Sequence, residues 1–246
     1  LYISVTQFDA HNDTTISVSH SRDGGATWSV PIYIDSLQLT PAVDQFSDIT
    51  IGADGTVYVS WMRCVGTGPA GDCGGTTATF YLSKSTDGGN TWGTPVPVAP
   101  SSDTHDQFFP WLSVSSNSTV GVTWLDRRND PSNLSYEAFA GLSTDGRDTF
   151  PNLQIATQPS NPNNDGFSGS FMGDYTGNAW DSTGNTLYAS WMDSRNGVNM
   201  QDEVGGEATV GSQNWHVVPS PNPGTSYNAL YGTAALAANN VWAVGY

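Results

Sequence analysis

Positive charge is scarce in this chain of 246 residues, which sets 7 Lys and Arg against 23 Asp and Glu for a formal net charge of −16. Its placement is therefore informative. Arg63, Arg127, Arg128 and Arg195 each follow a tryptophan by a few residues, in Trp61-Met-Arg63, Trp124-Leu-Asp126-Arg127-Arg128 and Trp191-Met-Asp193-Ser-Arg195. A guanidinium is a rigid planar fork that grips a carboxylate through two parallel hydrogen bonds. Arginines converging from such segments could clamp an acidic ligand while a nearby acid or tyrosine carries out chemistry. The same residues have a plainer use, since Asp126 with Arg127 or Arg128, and Asp193 with Arg195, can form ion pairs that fix their own loops. Recurrence favours that structural use, because an active site takes different residues from each repeat. Three more segments carry candidate polar groups: Asp44-Gln45-Phe46-Ser47-Asp48, His105-Asp106-Gln107-Phe108 and Gly173-Asp174-Tyr175-Thr176. Asp174-Tyr175 departs most from the repeat and ranks first as a ligand contact. The candidate ligand-binding set is thus Asp48, Arg63, Asp106, Asp126, Arg127, Asp174, Tyr175, Asp193 and Arg195. No catalytic residue is assigned, and no metal ligands or cofactor are expected.

The elements that position these segments repeat. Ser21-Arg-Asp23-Gly-Gly25-Ala-Thr-Trp28 returns as Ser85-Thr-Asp87-Gly-Gly89-Asn-Thr-Trp92 and, weakened, as Ser143-Thr-Asp145-Gly-Arg-Asp-Thr-Phe150. A second element, an alternating run ending in tryptophan, occurs at Thr56 to Trp61, Thr119 to Trp124 and Thr186 to Trp191. Both recur at intervals of about sixty residues, the mark of a repeat architecture. Alternation and turn signals divide the second repeat into strand A from about Asp48 to Gly52, B from about Thr56 to Met62, C from about Thr77 to Lys84 and D from about Thr94 to Val98. Four antiparallel strands per repeat describe the blade of a β-propeller.

Composition agrees. Only 12% of residues are charged and 11% are aromatic, and no apolar run approaches the ~20 residues of a membrane span. The chain is expected to fold without inserting into a membrane. Its acids are nearly all aspartate, and Asp, Asn, Ser, Thr and Gly compete for the backbone in turns, so the chain reads as mostly β. Without a basic cluster to neutralise phosphates, no nucleic-acid partner is expected. Cys64 and Cys73 flank a Gly-rich stretch and are expected to pair in an extracellular chain, with a reduced structural pair as the alternative.

The Ser-x-Asp-Gly-Gly-x-Thr-Trp segments resemble the Asp box, or BNR repeat, of sialidases and related secreted β-propellers. That resemblance implies an all-β, sialidase-like propeller of which about three and a half blades lie within residues 1–204, a fragment of a larger ring, in an extracellular or cell-surface setting. It implies structural roles for Ser21, Asp23, Gly25, Trp28, Ser85, Asp87, Gly89, Trp92, Ser143, Asp145 and Phe150: a tight Asp-Gly turn, a carboxylate accepting from backbone N–H groups within it, and an aromatic ring over the hairpin. Residues 205–212 read as a linker. Residues 213–246, with Trp215-His-Val-Val-Pro-Ser-Pro-Asn-Pro and Val241-Trp-Ala-Val-Gly-Tyr246, resemble the start of a second bacterial propeller-repeat domain.

In an antiparallel meander alternate connections share an end. The A–B turns and the boxes therefore lie at one end and the arginine-bearing B–C loops at the other, which is the functional face in propellers of this resemblance. The expected function is recognition of a glycan or another extracellular ligand on that face. One alternative is an exo-α-sialidase completed by further blades, although no Arg-Ile-Pro segment of the kind that carries that family's first clamp arginine is present. The other is a structural or adhesive module. Tyr136-Glu137 is discounted as a catalytic pair, because adjacent strand residues point to opposite faces.

Overall fold

A computed structural model describes residues 1–10, 14–35, 42–65, 77–100, 104–146, 149–164, 175–195, 202–211, 215–218, 230–237 and 240–245. The described residues form antiparallel meanders in chain order. The first holds β1 (Tyr2–Phe8), β2 (Thr14–His20) and β3 (Ile32–Tyr33). The second holds β4 (Ala42–Ile51), β5 (Val57–Val65), β6 (Ala78–Ser85) and β7 (Val96–Pro97), and the third β8 (Gln107–Val114), β9 (Val120–Asp126), β10 (Glu137–Ser143) and β11 (Asn152–Gln154). The fourth holds β12 (Gly177–Trp180), β13 (Thr186–Asp193), β14 (Asp202–Thr209) and β15 (Trp215–Val218), and β16 (Leu230–Ala237) pairs with β17 (Asn240–Gly245). This is the four-stranded antiparallel blade expected from the sequence. The strand pair β1–β2 precedes the first Ser-x-Asp turn as β5–β6 precedes the second, so β1 occupies the B position.

Three details depart from the expected boundaries. Strand A of the second blade starts at Ala42 rather than near Asp48, because β4 carries a bulge between Gln45 and Asp48 that breaks the two-residue alternation. β8 has the matching bulge between Phe108 and Trp111. Arg63, expected in a loop, lies within β5 opposite Asp44. The ladder also runs through the segment read as a linker: Gly205 and Gly206 pair with Ser190 and Ala189 of β13 on one side and with Val218 and Val217 of β15 on the other. Paired glycines resemble a linker in sequence, but a residue without a side chain still offers a full set of ladder groups.

Each of the main apolar clusters lies between two sheets. Ile16, Val18 and Ile34 of the first blade meet Val59 and Trp61 of the second. Phe80, Leu82 and Met62 of the second meet Leu112, Val122 and Trp124 of the third, and Leu125, Tyr136 and Ala140 of the third meet Ala189 and Trp191 of the fourth. The three tryptophans that end the B strands are therefore plugs between neighbouring blades, at most 2% exposed. Trp124 packs edge-on to Phe80 and stacks with Phe139. Because both faces of a blade are covered, every residue of β9, β10 and β13 is buried.

The Ser-x-Asp turns share one geometry. Ser21 Oγ donates to Asp23 Oδ1 at 2.8 Å and accepts from Gly25 N, while Asp23 accepts from Thr27 N and Oγ1. Ser85, Asp87, Gly89 and Thr91 repeat this set, and Ser143, Asp145 and Thr149 repeat its carboxylate half. Gly24 and Gly25, like Gly88 and Gly89, have φ between +72° and +94°, which favours glycine. Hydrogen bonds from the threonine hydroxyls, then from the threonine N–H groups, hold Asp23 and Asp87 well below the ordinary carboxylate range. Trp28 is 40% exposed over its turn, whereas Trp92 and Phe150 pack against the cores.

Blade contact sets one tight tolerance. A Cβ at Gly121 on β9 would sit 2.9 Å from both Leu187 Cδ2 and Trp180 Cζ2 of the fourth blade. Overpacking of this kind typically costs about 1–3 kcal/mol. Gly121→Val is expected to lower unfolding free energy by about that amount, with Gly121→Ala less affected, as measured by urea denaturation; stability equal to the parent would show that the two blades are not in close contact there.

Candidate functional site

The ends of the B strands and the starts of the A strands lie at the end opposite the Ser-x-Asp turns, and charged side chains there are held in three related arrangements. In the third blade Asp126, the last residue of β9 and 1% exposed, accepts from Trp124 Nε1 at 2.7 Å, from Arg128 N at 2.8 Å and from Arg128 Nη2 at 2.5 Å. The Arg128 guanidinium lies over the Phe139 ring at 4.2 Å. In the fourth blade Asp193 accepts from Arg195 N and Nε, both at 2.8 Å, and from Nη2 at 2.5 Å. The pattern Trp-x-Asp-x-Arg thus builds the same device twice: a buried carboxylate ends the B strand and draws back the arginine two residues further on. This is the ion-pair role, not a pair of open clamps.

The second blade inverts the polarity. Arg63 stands at the aspartate position, 2% exposed, with Nη1 donating to Asp35 at 2.7 Å and Nε 3.7 Å from Asp44 Oδ1. Asp35 comes from the first blade and Asp44 from β4, so the cluster ties two blades together. Asp44 is completely buried, and its backbone N–H and C=O both bond Thr14 Oγ1 of β2. Burial, then a hydrogen bond that the protonated Asp44 donates to Asp35 and repulsion by the Asp35 charge, push the Asp44 carboxyl far above the ordinary range, against the pull of Arg63. Asp35 was not singled out in the sequence, since it lies outside the repeated segments.

A more open ion pair completes the rim. Arg127 Nη1 meets Asp106 Oδ2 at 3.1 Å, Arg127 N bonds Asp106 O, and the guanidinium lies 5.1 Å over Phe108. Asn133 closes the arrangement, exchanging hydrogen bonds with Asp106 N and Oδ2. Asp106 and Arg127 retain 28% and 22% side-chain exposure, so a ligand could reach them. Tyr175 is 44% exposed, while Asp174 lies outside the described residues.

Asp48 has a different task. Its Oδ2 accepts from Leu112 N of the next inner strand at 2.8 Å and its Oδ1 from Ile49 N, while burial raises its pKa against those bonds. Asn178 of β12 serves the other side of β8, donating to Trp111 O at 2.8 Å. Side chains from both neighbours thereby satisfy the inner edge of β8. Tyr136 and Glu137 indeed diverge: the Tyr136 hydroxyl donates to Met192 O, whereas Glu137 accepts from Asn129 and Gln154. Glu137 lines a cleft of about 450 Å³ with Asn129, Asp130, Ser132 and Leu134, which sequence reasoning missed. Cys64 is buried and is not a free thiol; its expected partner Cys73 lies outside the described residues.

No protein-family model matches the chain, and no curated protein does. Solved structures do. A sialidase described as Hadza microbial sialidase Hz136 is 15% identical, with TM-score 0.60 over 92% of this chain and 44% of its own. An α-L-arabinanase of Penicillium chrysogenum complexed with arabinobiose is 14% identical, with TM-score 0.56 over 99% of this chain and 70% of its own. A GH93 α-L-arabinofuranosidase of Fusarium graminearum is 13% identical, with TM-score 0.52 over 94% and 63%. At these identities the likeness establishes fold, and it makes this chain an all-β protein of β-propeller architecture. The chain spans less than half the length of the first of these structures.

The buried cluster gives a pH signature. Because the folded state holds a proton on Asp44 that the unfolded chain releases near pH ~4, its contribution is complete in acid and is lost as pH rises toward Asp44's raised value. Asp44→Asn, which mimics the protonated carboxyl, is expected to fold and to flatten this fall in a thermal-melt series from pH 4 to 9. Removing both acids in Asp35→Asn/Asp44→Asn leaves Arg63 buried without a carboxylate and should cost about 3–5 kcal/mol. An unchanged pH slope in Asp44→Asn would show that another group titrates.

Proposed function

We propose that this chain is part of a secreted carbohydrate-recognising propeller of the sialidase-like, Asp-box type, with its ligand on the end opposite the Ser-x-Asp turns. The observation that carries the reading is the rim at that end. Asp106, Arg127 and Asn133 form a mutually hydrogen-bonded, partly exposed set of donors and acceptors at the same end as exposed Tyr175, where the remaining ion pairs fix the strand ends. A preorganised polar set beside an aromatic ring suits a ligand dense in hydroxyl groups. The solved propellers of similar fold include carbohydrate-processing enzymes, which supports the same ligand chemistry. An extracellular setting, with Cys64 bridged to Cys73, fits a chain whose Cys64 is not a free thiol.

Binding is favoured over sialoside hydrolysis by the state of the arginines. Arg63, Arg127, Arg128 and Arg195 each sit in an ion pair with an aspartate, so a carboxylate clamp would have to share guanidiniums already committed to the protein's own carboxylates. Retention of the purified protein on a glycan array, reduced by Tyr175→Ala, is the expected outcome, with no release of fluorophore from a fluorogenic sialoside. Turnover of that sialoside would establish the exo-sialidase alternative, and silence on every glycan would favour a structural module.

A further inference from the structure

We propose that the aromatic rings displayed by the bulges of β4 and β8, together with Tyr175 just ahead of β12, form a stacking platform for a neutral oligosaccharide. This rests on the carbohydrate reading above and names the ligand class and the residues that select it.

The bulges are equivalent in the two blades: the unpaired residues are Phe46-Ser47 in one and Phe109-Pro110 in the other. Phe46 and Phe109 have φ of +55° and +54°. A positive φ is unfavourable for a bulky side chain and natural for glycine. Two successive blades nevertheless place phenylalanine there. The rings meet edge to face with centroids 5.8 Å apart, and Phe109 meets Phe108 in the same way at 5.3 Å. Phe46 remains 50% exposed and Trp111, two residues past Phe109, 44%. Thr176 Oγ1 donates to Phe109 O at 3.4 Å, which brings the third blade's bulge against the segment that carries Tyr175, itself 44% exposed. Phe109 packs in part against the cluster around Leu125 and Trp191, but core packing does not account for Phe46, strained and left half in solvent; backbone strain and an exposed ring at a bulge point to a place where a ligand is met.

Charge selects the class. The described arginines at this end are engaged by aspartates, with Arg127 beside the platform held by Asp106 and stacked on Phe108. A carboxylated sugar would have to compete with an aspartate for its guanidinium and approach a chain of net charge −16. A neutral sugar meets neither obstacle: its C–H face lies on the rings while its hydroxyls reach the Asp106–Asn133 rim.

The test uses the purified chain and calorimetric titration with neutral probes (arabinotriose, xylotriose, cellotriose and maltotriose) beside sialyllactose and digalacturonate. At least one neutral probe is expected to bind with an affinity unchanged by added salt. Phe46→Gly, suited to the positive φ, should weaken that binding about tenfold or more without lowering the melting temperature; Phe109→Gly should weaken it too, at some cost in melting temperature because Phe109 also packs on the core, whereas Phe46→Trp should retain binding. Preference for the acidic probes with strong salt dependence would overturn the neutral class while leaving glycan recognition intact. Neutral binding untouched by the glycine variants would overturn the platform while leaving the neutral-glycan class standing. A lower melting temperature in Phe46→Gly, or loss of a self-associated state, would mean that the rings serve folding or a second copy of the chain. Absence of binding to any probe would overturn this inference and the carbohydrate reading together.

Discussion

Blade-to-blade burial is the interaction on which the rest of this structure depends. A single antiparallel sheet of three or four short strands has two faces and cannot bury both by itself. Here each main apolar cluster is shared by consecutive sheets, and a tryptophan on each of β5, β9 and β13 fills the gap to the preceding blade. Burying such a side chain is worth several kcal/mol, and it is collected only when the neighbouring blade is in place. The same requirement explains why β9 and β13 are buried along their full length and why Gly121 must lack a side chain. It also leaves the inner strand of each blade with an unpaired edge, which Asp48 and Asn178 satisfy from the blades on either side of β8.

Aspartate divides its labour by depth. At the exposed turns it is an acceptor for local N–H and hydroxyl groups, and those bonds keep Asp23 and Asp87 ionised. At the opposite end, where B strands emerge from the core, the carboxylate is buried and requires a cation: Arg128 for Asp126 and Arg195 for Asp193. In the second blade Arg63 of β5 stands at that position instead, and two aspartates gather around it. Two carboxyls on one guanidinium leave one in excess, and burial keeps Asp44 protonated. The high acidity of the chain is thus largely a cost of construction. It does not require a cationic partner.

These commitments shape what the molecule can recognise. Cations that might have received an acidic ligand are used to pin loops, and what remains accessible is a polar rim beside aromatic rings on strained backbone. A rigid site of that kind loses little conformational entropy on binding. Its ring partners come from three different blades, so no single repeat unit could display it.

The sequence by itself determined the blade: tryptophan-ended alternating runs, Asp-Gly turns and their spacing placed four strands per repeat, and the Trp-x-Asp-x-Arg recurrence pointed to structural ion pairs. These are local properties, legible because a turn or a two-residue alternation depends on neighbours in the chain. Tertiary structure alone decided the partners. Asp35 joins Arg63 across a blade boundary, Phe46 meets Phe109 across another, and the glycines at 205 and 206 prove to be ladder positions because β13 and β15 lie on either side. Bulges were illegible for the same reason: an inserted residue erases the alternation that betrays a strand, and only the opposite strand shows which residue has been left over.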